Sequence, residues 1–393
     1  MHLIANPDGN MTVPWKEWIP GALTKIQVEA LIQDEGCSEN AQTCSADYSS
    51  FDLTLDDKGW EMAQGSVKPS GGGYSNFLET ETDFAKKMEL VNGVFALMPK
   101  RTYVFRLKER LGFKLREAEF HGQATAKSSV GRVDVLARLI VDGMSSYEGF
   151  DHKGIQSSSG HMYLEVTSMT FKVNVKPGTS LSQLRLFYGS PEHCEIRGDE
   201  LYRTVLLNEE SEQHDNCLRV DLTNTSVMGK SLAAFRAKRS CEGIINLWKE
   251  DLKKPNPLDF WEFDVSDNKN RLRISETNFY ILRSKERIFL PRGVCVYCRA
   301  IDETIGEMRI HYAGFVHPFF GHRKNADAKK GTPLIFELRG HDVNVMLNNN
   351  EKLAKLTFYR MSEDCEDPNP EQLSPYNEQV LKLSTFFSDF PKI

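Results

Sequence analysis

Short apolar runs alternate with turn residues along most of the chain. Phe51-Asp52-Leu53-Thr54-Leu55, Tyr163-Leu164-Glu165-Val166 and Phe171-Lys172-Val173-Asn174-Val175 are each bounded by Gly, Asn, Asp or Ser. Period-two runs of four to six residues predict strands, and many of them predict a sandwich or barrel. Two stretches break the pattern. After Pro20-Gly21, Leu23, Ile26 and Ala30, with Leu31 beside them, fall near one helical face. The tail carries Pro368, Pro370 and Pro375 and then an apolar run around Val380, Leu381 and Leu383, which predicts a short terminal helix.

The chain also repeats itself. Phe105-Arg106-Leu107-Lys108-Glu109-Arg110 matches Leu282-Arg283-Ser284-Lys285-Glu286-Arg287, and Val130-Gly131-Arg132-Val133 matches Ile305-Gly306-Glu307-Met308. Tyr163-Leu164-Glu165-Val166 matches Ile335-Phe336-Glu337-Leu338, and Val173-Asn174-Val175 matches Val343-Asn344-Val345. Leu181 and Leu184 answer Leu353 and Leu356, and the spacing from Glu to the last Leu is equal, 184 − 165 = 356 − 337 = 19. Upstream, Asp52-Leu53-Thr54 pairs with Asp221-Leu222-Thr223. Any two β domains share apolar alternation, but the Lys-Glu-Arg match and the equal spacing favour two copies of one unit. The expected division is a first unit over 18–190, an acidic linker over 191–216, a second unit over 217–362 and a tail over 363–393.

Composition changes this picture little. The 393 residues carry 49 Lys+Arg against 55 Asp+Glu, a net charge of -6, which argues against general nucleic-acid binding. No eighteen-residue apolar stretch or basic, apolar leader is visible, so no membrane partner and a cytoplasmic location are expected. The eight cysteines follow no disulfide framework and are expected to be reduced.

Two features can carry chemistry. Lys127-Ser128-Ser129-Val130-Gly131-Arg132 collects a cation, two hydroxyls, a glycine for close backbone approach and a guanidinium, which can converge on phosphate. The bland alternative is a polar turn. Glu165 and Glu337 each sit inside an apolar strand and point away from their apolar neighbours. One such Glu means little, but its recurrence in both copies favours a general acid/base. A zinc site is a weaker candidate. His193-Cys194-Glu195 and Cys295-Val296-Tyr297-Cys298 echo a zinc deaminase, yet Val294 stands where proline is required, and strand alternation sends the two thiols to opposite faces. No Walker loop, dinucleotide fingerprint or nucleophile elbow is present.

These residues resemble a family. Lys127 to Arg132 is similar to the Ser-Ser-x-x-Arg motif of dCTP deaminases, and Leu181-Ser182-Gln183-Leu184 is similar to the Ile-Ala-Gln-Leu turn of the dUTPase/dCTP deaminase superfamily. Tyr48 to Leu53 resembles its early Ser-x-Asp-Leu strand. Phe279 to Glu286 and Gly306 to Phe315 resemble the second-half signatures of the duplicated bacterial type. The resemblance implies a mainly β chain of two tandem dUTPase-like distorted barrel or jelly-roll units with short flanking helices. It implies hydrolysis of dCTP to dUTP and ammonia by a Glu acid/base, with no catalytic metal and with magnesium bound to the triphosphate. Sites would lie between units, in a homo-oligomer, with dTTP as a candidate effector and no nucleic-acid partner.

Carried onto this chain, the resemblance makes Glu337 the first-choice acid/base with Glu165 in reserve, and assigns Ser128 and Arg132 to the attacking water. Lys127, Ser129, Gly131, Asp142, Gln183 and His317 are the expected substrate contacts. In the second copy, Glu303, Thr304 and Glu307 replace Ser128, Ser129 and Arg132, and two acids would repel a triphosphate. His317-Pro318-Phe319-Phe320-Gly321 stands where the family has Asp-Pro-Gly-Phe-Gly, and Asp142 keeps a loose version of that pattern in the first copy. The replacement argues against the first alternative, a dUTP pyrophosphatase. The second alternative is a non-catalytic nucleotide-binding protein.

Overall fold

The computed structural model describes residues 14–34, 37–42, 45–154, 160–207, 215–248, 250, 253–301, 308–310, 314–322, 331–367 and 380–391. Glu303, Thr304 and Glu307 lie outside them.

Strands dominate. The first unit contains β1 (Ser50–Met62), β2 (Phe95–Leu97), β3 (Thr102–Leu111), β4 (Phe120–Ala126), β5 (Val135–Val141), β6 (Gly149–Asp151), β7 (His161–Ser168), β8 (Lys172–Val175) and β9 (Ser180–Tyr188). The second contains β10 (Cys217–Asp221), β11 (Ala234–Ala237), β12 (Ile244–Asn246), β13 (Trp261–Asp264), β14 (Arg271–Ile274), β15 (Phe279–Ile288), β16 (Val294–Ala300), β17 (Met308–Ile310), β18 (Gly314–Val316), β19 (Thr332–Gly340), β20 (Val345–Asn348) and β21 (Lys352–Arg360). The first main sheet runs β6-β4-β9-β1-β3-β7-β5 and the second β18-β16-β21-β10-β15-β19-β17. The orders correspond strand for strand, so the duplication read from the sequence is a duplication of topology.

The register corrects two of the matched blocks. Val173 faces Leu97 across β2–β8, and Val345 faces Ile274 across β14–β20. The counterpart of Val173-Asn174-Val175 is therefore Val345-Met346-Leu347, giving one constant offset, 345 − 173 = 337 − 165 = 353 − 181 = 172. Period-two alternation looks alike when slid by two residues, which is why Val343-Asn344-Val345 matched. Likewise Glu109 accepts from Thr54 N (2.9 Å) and Glu286 from Arg219 N (2.7 Å), which makes Thr54 and Arg219 equivalent. Asp221 then answers Asp56, and each pairs with its own arginine, Arg283 and Arg106. The Lys-Glu-Arg repeat thus holds a buried carboxylate on a backbone amide of β1 and of β10.

The helical readings fare unevenly. Helix α1 (Lys25–Gln33) starts with a capping box between Thr24 and Gln27, but it buries Val28, Leu31 and Ile32, and Ile26 is exposed. The acidic segment after Ser190 is only partly a linker. Pro191–Cys194 and Asp199–Val205 are helical, and the strands at 195–196 and 206–207 pair with β21 and β15. The described tail, 380–391, contains no helix; it packs as irregular chain with a turn at 384–387, burying Leu381, Leu383, Phe386 and Phe387. No helix among the described residues is long and apolar enough to cross a membrane.

The units share a core. On β15 and β19, Tyr280, Leu282, Phe336 and Leu338 face the second unit's own interior, while Phe279, Ile281 and Ile335 join the first unit's cluster. Phe171 meets Phe260 and Trp261 at centroid distances of 5.4 and 5.7 Å. β12 adds to β8 as a parallel strand. Arg185 of β9 is fully buried at a second contact. It donates to Val296 O (3.0 Å) and Ser49 Oγ (3.1 Å), and its guanidinium lies 4.0 Å from the Phe315 ring centroid. Arg185→Met leaves a buried carbonyl without its donor. The expected loss is about 2–4 kcal/mol, seen as an earlier midpoint in urea.

Candidate active site

The Lys127–Arg132 segment forms a one-turn helix, α2 (Ser128–Gly131), between β4 and β5. Val130 N and Gly131 N donate back to Lys127 O (2.8 and 3.0 Å), and Arg132 N donates to Ser128 O (3.1 Å). The tight turn projects Arg132 across the boundary between units. There its Nε lies 3.9 Å from Glu337 Oε1, with side chains 4% and 9% exposed. That separation exceeds a direct hydrogen bond, so the pairing is electrostatic. Burial pushes Glu337 up to about 7 against the lowering effect of Arg132. Cys298 of β16 lies beside it, its thiol pushed up to about 12 by burial and then by Glu337.

Lys127 pairs with Asp52 of β1. Gln183 is the register partner of Asp52; it accepts from Ser50 Oγ (3.3 Å) and donates to Thr125 Oγ1 (3.4 Å), tying β1, β9 and β4 together. His317, following β18 of the second unit, reaches the same wall: its Nδ1 is hydrogen-bonded to Ser49 Oγ at 2.9 Å. Burial holds its pKa down at about 4, with Asp47, Arg185, Asp52 and Lys127 as the charged surroundings, so the ring is neutral at pH 7. Ser128 is exposed at the head of the turn. The carbonyl of Ser129 accepts from Ser384 Oγ (2.6 Å), and Arg132 Nη1 donates to Lys382 O (3.1 Å), so the tail lies against this turn.

Glu165 is brought to neither. Arg138 of β5 donates to it through Nε at 3.0 Å, Ser66 Oγ at 2.5 Å and Tyr147 OH at 3.1 Å. Its strand face is covered by the insertion between β1 and β2, where Tyr74 and Leu78 of the helix Tyr74–Thr80 pack on Trp60, Val104 and Tyr163. Asp142 serves that cover. Its Oδ1 accepts from Tyr74 N (2.8 Å) and its Oδ2 from Ser75 Oγ (3.0 Å), a cap supplied from the turn after β5. The first-copy counterpart of His317 is Asp151, because Phe150 pairs with Gly122 as Val316 pairs with Val296.

The second copy's loop differs at its entrance as well. Lys127 N donates to Leu181 O (3.0 Å) and Ile301 N to Leu353 O (3.1 Å), so Ile301 holds the place of Lys127. By the same register Cys217 holds that of Asp52. Among the described residues no cluster of three or more His, Cys, Asp or Glu could hold a metal ion. Cys295 and Cys298 fall in separate apolar clusters. The donor set of the turn, one ammonium, two hydroxyls and one guanidinium, suits phosphate oxygens rather than a cation.

Sequence reasoning missed Asp52 as the partner of Lys127, the tail, and a second ion pair beside Arg132 and Glu337. Asp134 and Arg339 each follow a flagged residue by two, and strand alternation puts Arg339 on the face of Glu337.

Two like β units that meet at a hydroxyl-and-guanidinium turn and a buried carboxylate define the class: a duplicated member of the dUTPase-like fold. The comparisons narrow it. Residues 19–190 match the family model of the 2'-deoxycytidine 5'-triphosphate deaminase N-terminal domain, and residues 192–387 match that of its C-terminal domain. The chain belongs to the dCTP deaminase family, hydrolases of a carbon–nitrogen bond. It is similar to the crystal structure of 2'-deoxycytidine 5'-triphosphate deaminase from Agrobacterium tumefaciens, at 25% identity and a TM-score of 0.75, over 88% of this chain and 96% of that one. No curated sequence matches.

Because Glu337 binds a proton more tightly when folded, its contribution to stability is complete below about pH 4.5 and is lost as pH rises through about 7. Glu337→Gln removes this dependence. Wild type is therefore expected to lose stability relative to the variant between those limits, measured as the difference in denaturation midpoint against pH.

Proposed function

We propose that this chain hydrolyses dCTP to dUTP and ammonia at the junction between its own two units. The observation that carries the reading is Glu337, buried, titrating near neutrality and facing Arg132 without a direct hydrogen bond. A carboxyl group with a pKa close to the working pH can take a proton and return it. Water attacks C4 of the cytosine ring while Glu337 takes one of its protons and passes it to N3. Glu337 then takes the proton of the new C4 hydroxyl and gives it to the amino group, the C4–N4 bond breaks as the C4 carbonyl forms, and ammonia leaves. Ser128 and Arg132 orient the water and stabilise the charge that develops. Lys127 and Ser129 hold phosphate, with Gln183 in the wall behind them. Magnesium accompanies the triphosphate and screens its charge.

Neutral His317 offers an imidazole where the family carries a carboxylate. With Nδ1 engaged by Ser49, its Nε2 is the atom left to face the sugar. A cytoplasmic location, a homo-oligomer and a dTTP effector go with this proposal.

The test is ammonia release from dCTP, with magnesium and with chelator. Glu337→Gln is expected to lose at least about 10²-fold to 10⁴-fold in turnover while keeping the nucleotide-induced thermal shift. Glu165→Gln, acting on a carboxylate already held by three donors, is expected to keep turnover within tenfold of wild type. Turnover retained in the first variant and lost in the second would reverse the assignment. Pyrophosphate from dUTP without ammonia from dCTP would replace it.

A further inference from the structure

Two residues beyond the Arg132–Glu337 pair lies a second pair of opposite sense. Asp134 follows Arg132 and is completely buried; Arg339 follows Glu337 on the same face of β19 and is 7% exposed. Arg339 Nη2 donates to Asp134 Oδ2 and to Thr170 Oγ1 (2.5 Å), Thr170 Oγ1 donates to Asp134 Oδ2 (2.5 Å), and Arg339 Nη1 donates to Thr277 O (2.5 Å). Cation then anion on one unit thus face anion then cation on the other. Asp134 is held at φ 59, a left-handed conformation that costs an ordinary residue energy and that Asp and Asn tolerate best. Its amide donates to Gly131 O (2.9 Å), and its carbonyl accepts from Met169 N (2.9 Å), so the backbone leaving α2 is fixed on both sides of the carboxylate.

The repeat supplies a control. With the 172-residue offset, the first-copy counterpart of Arg339 is Thr167, which bonds Thr102 instead. The clamp therefore exists where Glu337 meets Arg132 and has no equivalent arginine beside Glu165.

We infer that Asp134 and Arg339 are positioning residues of the active site: their buried pair sets the spacing between the Arg132 turn and Glu337 and balances the charge beside that carboxylate. This rests on the proposed acid/base role of Glu337 for its catalytic meaning. Its electrostatic content stands apart from turnover. Among the described residues, the titratable groups that face Glu337 are Arg132 from the turn and Cys298 from β16, with Asp134 and Arg339 next along the boundary. Asp134 favours the protonated form of Glu337 and Arg339 the ionised form, so removing either alone unbalances them in opposite directions.

The experiment follows the carboxyl band of Glu337 by difference infrared titration of the full chain, subtracting Glu337→Gln in each background, alongside kcat and KM for dCTP. Asp134→Asn, the mildest change at this φ, is expected to lower the midpoint by about one pH unit, and Arg339→Gln to raise it by a similar amount. Arg339→Lys keeps the charge and should restore the wild-type midpoint. kcat is expected to fall at least tenfold in both neutralised variants, with KM changed less. Midpoints that stay at the wild-type value in both, or that move the same way, would overturn the clamp. Wild-type protein that releases no ammonia, with the opposed shifts intact, would sink the deaminase reading and leave the clamp standing.

Discussion

The arrangement depends on one constraint: a guanidinium of the first unit and a carboxylate of the second are buried together without touching. At 3.9 Å, Arg132 and Glu337 feel each other's charge in a medium of low polarisability but do not saturate each other. Burial alone would drive Glu337 strongly toward its neutral form, and the arginine brings it back to about 7. Every larger feature serves that distance. Phe279, Ile281 and Ile335 turn one face of β15 and β19 into the first unit's core, which brings Glu337 to the boundary. The one-turn helix after β4 supplies the other side.

The same carboxylate has two fates in the two copies. Glu165 occupies the equivalent position on β7, yet Arg138, Ser66 and Tyr147 complete its hydrogen bonds. The insertion carrying Tyr74 and Leu78 closes the face that in the second unit is left open for docking. Asp142, expected as a substrate contact, pins that insertion through Tyr74 N and Ser75 Oγ. The other half of the asymmetry is Ile301 and Cys217, which replace the ion-paired Lys127 and Asp52.

Much of this was legible beforehand. Periodicity predicted the β class, and equal spacing across the copies located the paired glutamates. Motif chemistry singled out Lys127 to Arg132, and the acids expected in the second loop made Glu337 the natural first choice. Register was less accessible. Val343-Asn344-Val345 stood in for Val345-Met346-Leu347 because a strand slid by two residues shows the same face to the core. Nearness in sequence to Tyr147 and Gly149 points to Asp142, but it says nothing of which strand pairs with β4, and the register gives Asp151 the place of His317. Val380, Leu381 and Leu383 predict a helix in the tail, but tertiary contact with the Ser129 turn and with Phe260 holds it as irregular chain. Pairings between units, such as Arg339 with Asp134, are 205 residues apart and leave no local trace.

The shared core has a consequence for how such a site endures. When two walls of a pocket belong to separate molecules, thinning the solution pulls the equilibrium toward halves that do nothing. Here a covalent tether keeps the walls at a high effective concentration whatever the abundance of the protein. Under the proposed assignment selection acts on one junction per polypeptide and the other is free to drift; at that other junction Ile301 stands in the place of Lys127, and Glu165 is enclosed.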